Sequence, residues 1–442
     1  MSQDDVSSRS TDATVQETAR RRVRLPVIQA KGCDHATINC FLRSVFQGPS
    51  PAEFQAALDD PFYEPRDRLL LRQRRRIVAH VHITHRTMLF GPARIPLACL
   101  GWLGVAPEHR GQGLGAHLLR EAESQMLADG ALVGMLRTSI PRFFHSRGWA
   151  MCGQPSYRRA NACAIRARLL DRGLIPRPSR RLHIRPWLQW EQAALARIYA
   201  SCDAYGLLER TPAYWQWLLN RHGHDRVYVA LEGPELLELG EVSTRVVGYA
   251  ATRGEQIVEL MTAPDRPRAA AELLARCCGD AVENDRHCVL LHAPPSHPLF
   301  KIFDEASGAG SAQTPEHGEV CMMRLLDPLE LLRRLAGDFN RRAAEARLPR
   351  PGDLGLMVEG RKYRLELGLH GIVVESQHVG RSYLALNVAD FTRLVLGQLD
   401  WDAAIVDGRI ECSTALAREA GRVLFPPLSF WRSPWDDLPA SS

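Results

Sequence analysis

The chain has 442 residues, 45% of them hydrophobic, and a formal charge of +6. That is too long for one ordinary core and predicts roughly two to four domains. No apolar run reaches the about 20 residues needed to span a bilayer, and the small positive charge is too weak to argue for a nucleic-acid partner.

Residues 1–22 are polar and lack the apolar core of a secretion signal, so a disordered tail and a cytoplasmic location are expected. The eleven cysteines are scattered without a Cys-x-x-Cys pair, and Cys277 and Cys278 are adjacent, a pattern of reduced thiols. Lysine occurs only at Lys31, Lys301 and Lys362, so arginine carries nearly all the positive charge.

After the tail, Val23 to Ile28 reads as a strand and Ala36 to Phe46 as a helix with Ile38, Phe41, Leu42 and Val45 at helical spacing. Ser50 and Pro51 open a second helix to Leu58 as cap and first-turn residues. Arg68 to Leu71 and Ile77 to Ile83 read as paired strands joined by an arginine-rich turn. His80 and His82 share one strand face and His85 the other, a spacing that does not suit zinc; a role facing a substrate cleft is the alternative to plain core or surface positions. No metal is expected.

The next stretch carries the chemistry. A strand from Pro96 ends at Val105, a turn holds Pro107, and Arg110-Gly111-Gln112-Gly113-Leu114-Gly115 leads into a helix with Leu118, Leu119, Ala122 and Met126 on one side. The first turn of a helix has unpaired N–H groups and partial positive charge, and glycines there let a diphosphate approach. There is no Gly-Lys-Ser/Thr, so this is not a nucleotide-triphosphate loop. With Val105, Pro107, Arg110, Gly113 and Gly115 in place, it resembles the acetyl-CoA motif of the GNAT N-acetyltransferases, Arg/Gln-x-x-Gly-x-Gly/Ala after Val-x-Pro. A buried-type strand, Ala131 to Leu136, follows, and then a short helix whose Phe144 and Gly148-Trp149 match the aromatic and glycine positions after the family's fifth strand.

Arg172 to Arg180 reads as a linker. The order of elements then repeats: strand Arg181 to Pro186, helices Leu188 to Ala200 and Thr211 to Leu219, strands at 226–232, 246–253 and 255–261, helix Ala269 to Val282 and strand His287 to His292. The turn before that last helix, Thr262 to Ala270, has proline and arginine but no glycine, so coenzyme binding is not expected there. A helix from Leu329 to Arg342, short strands at 363–367, 371–375 and 383–387, and helices at 388–396 and 414–423 complete a mixed third region.

Two GNAT-like regions followed by such a region resemble the Eis-type (enhanced intracellular survival) acetyltransferases. The fold class expected is α+β (α/β-like): a tail (1–22), an N-terminal GNAT domain (23–170), a second GNAT-like domain (181–325) and a sterol-carrier-protein-like domain (327–442). The resemblance implies acetyl-CoA as cosubstrate, a small-molecule or peptide amine as acceptor (an aminoglycoside in some members), no nucleic acid or membrane partner, and a homo-oligomer, commonly a hexamer. It places Leu103 and Val105 on the pantetheine with Phe144 packed on that side, Arg110, Gly111, Gln112, Gly113, Leu114 and Gly115 on the diphosphate, and Ser139 beside the thioester. It puts a tyrosine general acid where this chain has Phe144; His145 or Ser146 is the substitute, or the thiolate leaves unaided. For the base, the terminal carboxylate of Ser442, Asp436 and Asp437 stay open. A non-catalytic acyl-CoA-binding or scaffolding protein is the alternative that Phe144 favours.

Overall fold

The computed structural model describes residues 25–153, 155–175, 182–202, 204–233, 245–307 and 319–438. The chain opens with strand β1 (Val27–Gln29) and helices α1 (His35–Phe46) and α2 (Pro51–Leu58). Ser50 caps α2 by accepting the Glu53 N–H at 3.2 Å, while Glu53 accepts the Ser50 N–H, so two otherwise orphan donors are satisfied. Then come β2 (Arg68–Gln73), β3 (Arg76–Phe90), β4 (Ala93–Val105), α3 (Leu114–Ala128), β5 (Val133–Thr138), α4 (Pro141–His145) and β6 (Ala150–Met151). Helix α3 lays Leu118, Leu119, Ala122 and Met126 on the sheet, as the helical spacing requires.

The next elements are β7 (Tyr157–Asn161), α5 (Ala162–Asp171), β8 (His183–Pro186), α6 (Gln192–Ala200), β9 (Tyr205–Leu208), α7 (Pro212–Asn220), β10 (Arg226–Glu232), β11 (Arg245–Arg253), β12 (Gln256–Thr262), α8 (Ala269–Glu283), β13 (Cys288–His292), α9 (Phe300–Ser307) and β14 (Val320–Leu325). The last third holds α10 (Pro328–Arg334), α11 (Ala336–Glu345), β15 (Gly352–Val358), β16 (Arg361–Leu367), β17 (Ile372–Ser376), β18 (Tyr383–Leu386), α12 (Val388–Val395), α13 (Trp401–Val406), β19 (Ile410–Cys412) and α14 (Ala415–Leu424). The single helix expected from Leu329 to Arg342 is two: the chain bends at Leu335, so that Leu331 and Leu332 on one side and Phe339 and Ala343 on the other reach one core.

Three sheets result. The first runs β1-β2-β3-β4-β5-β14-β6, with β9 also paired to β3. The second runs β7-β13-β12-β11-β10-β8, and the third β17-β16-β15-β18-β19. The first two units exchange strands, which the expected cuts at 23–170 and 181–325 do not allow for. β14 follows the second unit in sequence yet pairs antiparallel with β5 over Val133–Thr138, burying Met322 and Met323. β7 precedes the second unit's other strands yet completes its sheet against β13. The third unit shares a continuous core with the outer part of the first sheet, Leu354 and Phe391 joining one cluster with Phe90 and Ile95.

Two features of the first sheet prepare a site. β4 and β5 run parallel but pair only over Leu97–Leu100 and Val133–Leu136. Beyond Leu100 that pairing stops, while β5 stays paired on its other edge with β14 through Thr138. At the same level β4 bulges: Trp102 and Leu103 together face Val81, and Trp102 takes φ of +55°.

Candidate active site

The divergence of β4 and β5 opens a cleft of about 990 Å³ that extends from the glycine turn to the second unit. At one end is the turn. Gly111 and Gly113 have φ of +75° and +81°, conformations that favour glycine, and a Cβ at either would meet only open space. Gly113 is the N-cap of α3, and the first intrahelical bond runs from the His117 N–H to the Gly113 carbonyl at 3.0 Å. The N–H groups ahead of it are left for a ligand. Arg110 donates through Nε to the Val105 carbonyl at 3.1 Å and keeps its exposed guanidinium beside the turn. These residues fit a diphosphate.

The equivalent turn of the second unit does not. Ahead of α8, the N–H groups of Ala269, Ala270 and Ala271 donate to the carbonyls of Arg266, Pro267 and Arg268 at 3.1, 3.3 and 3.1 Å. Its donors are spent within the turn.

In the middle of the cleft, β4 presents to the gap the backbone groups that β5 would otherwise pair. Leu103, Val105, Gly115, Ser139, Phe143 and Phe144 line this part. Phe144 is buried, edge-on to Phe143 and to Trp149. The bulge is tied to the sheet behind it by His80, whose Nδ1 hydrogen-bonds the Trp102 carbonyl at 3.0 Å. That bond puts the proton on Nδ1 and leaves Nε2 to accept from Arg68 Nη1 at 3.3 Å. Burial first, then the Arg68 charge, pushes the His80 pKa down to about 3, so it is neutral. His82 lines the cleft itself, and burial followed by the Arg68 charge holds it well below the usual imidazole range.

At the far end, α2, α7 and the C-terminal segment close the cleft. Arg86 ion-pairs with Asp60 under the Tyr214 ring. Trp217 donates to the Ala56 carbonyl at 2.8 Å, which links the two units across the cleft. After α14 the chain pairs through Trp431 N–H with the Tyr205 carbonyl at 2.8 Å, then buries Trp435 against Trp215, Tyr249 and His224. A 3-10 turn, Pro434–Asp437, delivers Asp437 and Leu438 to the cleft wall.

The expected residues are distributed as follows. Arg110, Leu103, Val105, Gly115, Ser139 and Phe144 line the cleft, and Gly111, Gln112 and Gly113 form its exposed rim. Leu114 is buried in the core, so only its backbone faces the rim. His145 is exposed and outside the cleft lining, and the Ser146 hydroxyl donates back to the Phe143 carbonyl at 3.0 Å. Both oxygens of Asp436 are held by Arg210, Nε–Oδ1 at 2.9 Å and Nη2–Oδ2 at 3.0 Å. Asp437 keeps Oδ1 on Arg432 at 2.7 Å, with Oδ2 3.8 Å from Arg137. Ser442 lies outside the described residues. Sequence reasoning missed Arg68, Arg86, Tyr214, Trp217, Arg221 and Arg432. Arg68, Tyr214 and Trp217 sit in segments read only for their secondary structure, Arg86, Arg221 and Arg432 lie outside any such segment, and an arginine in a strand or helix gives no local sign that it is buried. Among the described residues, no group of three His, Cys, Asp or Glu could hold a metal ion, and no helix is long and apolar enough to cross a membrane.

Comparison with known proteins agrees with this geometry. Residues 27–152 match the family model described as an acetyltransferase (GNAT) domain. Among solved structures, the chain is similar to a GCN5-related N-acetyltransferase from Anabaena variabilis, with TM-score 0.70, 16% identity, and coverage of 92% of this chain and 99% of that one. A GCN5-related N-acetyltransferase from Kribbella flavida gives TM-score 0.68 at 16% identity over 92% and 97%. Eis1 from Mycobacterium abscessus gives 0.62 at 16% over 92% and 99%. At these identities the likeness is one of fold. No curated protein matches the sequence. The chain is an enzyme that carries a GNAT acetyltransferase domain over residues 27–152.

Proposed function

We propose that the protein transfers acetyl from acetyl-CoA to a primary amine by direct attack in a ternary complex. The observation that carries this reading is the meeting of three features in one cleft: a glycine turn with unspent N–H donors, a divergent strand pair, and a bulge at Trp102 and Leu103. The diphosphate sits on Gly111 to Gly115 with Arg110, and the pantetheine completes the free edge of β4. The thioester carbonyl then lies at the bulge, where backbone N–H groups stabilise the developing oxyanion. Holding amine and thioester together supplies much of the acceleration.

The attacking amine must lose a proton. Of the C-terminal candidates, Asp436 has both oxygens on Arg210 whereas Asp437 has only Oδ1 hydrogen-bonded to Arg432, so Asp437 is the base in this reading; the terminal carboxylate of Ser442 is the alternative. Phe144, in the cleft wall, has no proton to give, so in this reading the coenzyme leaves as a thiolate unaided. The second unit is read as GNAT-like without coenzyme and the third as sterol-carrier-protein-like, both as walls for the first.

The test is acetyl-CoA binding and CoA release over a panel of amines. Gly113→Asp sets a carboxylate against the diphosphate, and binding should be lost; unchanged affinity would remove the reading. A binding or scaffolding role is the second reading, favoured by Phe144. It predicts acetyl-CoA binding with no release on any amine.

A further inference from the structure

On the reading that this cleft acetylates an amine, its charges also select the amine. Among the described residues, the cleft carboxylates are already engaged. Asp60 is paired with Arg86, Asp436 with Arg210, Asp437 with Arg432, and Glu319 lies 3.8 Å from Arg137. Glu53 accepts the Ser50 N–H at 2.6 Å.

Two arginines of the cleft are in no such pair. Arg68 lines the cleft, is 1% exposed, and forms no ion pair among the described residues. Its Nε donates to the Tyr63 hydroxyl at 3.1 Å and its Nη1 to His80; its Nη2 has no partner among the described residues. The Phe54 and Tyr63 rings lie 5.0 and 5.4 Å from the guanidinium carbon. They favour the cation but offer Nη2 no acceptor. Arg221 repeats the pattern. It also lines the cleft, lies 4.3 Å over Trp217, donates to the Trp435 carbonyl, and has a buried Nε without a partner.

A buried guanidinium without an anion is costly, and its planar fork matches a carboxylate in two parallel hydrogen bonds. Burial already works against the charge on Arg68, so an arriving anion relieves it. We infer that the acceptor is an amine that also carries a carboxylate, and that Arg68 binds that carboxylate. His80 bridges Arg68 and the Trp102 carbonyl, so the guanidinium stands one imidazole ring from the bulge. A carboxylate seated there leaves the amine a few bonds away, beside the thioester. That spacing suits an amino acid or a short peptide.

The experiment compares CoA release by the full chain with glycine, lysine and phenylalanine, their amides, their decarboxylated amines, and the matching dipeptides. At least one acid should exceed its amide and its decarboxylated amine by about tenfold or more in kcat/KM, mostly through KM. Greater rates with the dipeptides would assign the carboxylate to a peptide rather than a free amino acid. Arg68→Met should bring acid and amide together with the KM for acetyl-CoA unchanged, and Arg68→Lys should keep part of the preference. If Arg68→Met does not fold, the acid and amide comparison in the unaltered protein decides. Amides or simple amines acetylated as fast as the acids would overturn the inference and leave the acetyltransferase reading standing. Acetyl-CoA binding with no turnover on any amine would overturn both.

Discussion

Arg210 grips Asp436 through two hydrogen bonds of 2.9 and 3.0 Å while holding Glu259 through two more of 2.8 and 2.7 Å, with all three side chains shut off from solvent. One cation thus joins the second sheet to the C-terminal segment. Tyr214 and Tyr249 donate to the two carboxylates at 3.2 and 2.7 Å. The cluster carries one positive and two negative charges, so its members are unequal. Asp436→Asn leaves a neutral Arg210–Glu259 pair and should cost about 1–2 kcal/mol. Arg210→Met leaves two buried carboxylates facing each other and should cost ~3–5 kcal/mol. Denaturant melts of both variants check the order, and equal losses would contradict this account.

Asp437 has the better claim to the base. Its Oδ2 is clear of the 2.7 Å bond that ties Oδ1 to Arg432. Asp437→Asn should lower kcat by ~100-fold or more with the KM for acetyl-CoA unchanged. Deletion of residues 439–442 should leave kcat largely intact. The reverse pattern in steady-state kinetics would give the role to the terminal carboxylate.

Acid should destabilise the fold in a definite window. His80 and His292 are buried, and burial pushes their pKa values down to about 3 and about 4. Below about pH 6.5 the unfolded chain takes up these protons while the folded chain refuses them. The unfolded state then binds more protons, so stability falls as pH drops, by about 1.4 kcal/mol per pH unit for each site. Both sites contribute between about 6.5 and 4, and His80 alone below that. His292→Phe should reduce the slope of stability against pH by one site's share, measured by urea melts from pH 7 to pH 4.

Phe144→Tyr asks whether the coenzyme needs a proton to leave. A thiol has a pKa near 8.5, so its thiolate is a tolerable leaving group at neutral pH. The variant should change kcat by less than about tenfold, the lower range of acid catalysis being larger. A gain of two orders of magnitude in pre-steady-state acetyl transfer would show that the acid had been missing.

The glycine-turn end of the cleft was legible because local rules write it. A strand ending at Val105, glycines at 111, 113 and 115 and a periodic helix must produce a turn with open donors wherever they occur. The acceptor half is assembled from segments far apart in sequence. Arg68 opens a strand and Arg221 ends a helix, and nothing around either indicates a common wall; Asp437 entered the reading only through the family resemblance. The His80 and His82 pair was visible as a shared strand face, but its bond to the Trp102 carbonyl depends on a bulge that has no sequence mark beyond a tryptophan at positive φ. The exchange of strands between the first two units was hidden for a related reason. Tyr157–Asn161 is too polar to read as a strand until β13 lies beside it, and Val320–Leu325 pairs with a strand about half the chain away.

That exchange sets an order of events at the ribosome. The edge of β5 stays uncovered until Val320–Leu325 has been made and released from the exit tunnel. At ordinary rates of synthesis the interval after Met151 is on the order of ten seconds or more. For that time the nascent first sheet exposes an unpaired strand with apolar Val133, Met135 and Leu136, an invitation to pair with a neighbouring chain. The cleft is therefore a late product of translation, completed only when most of the protein already exists.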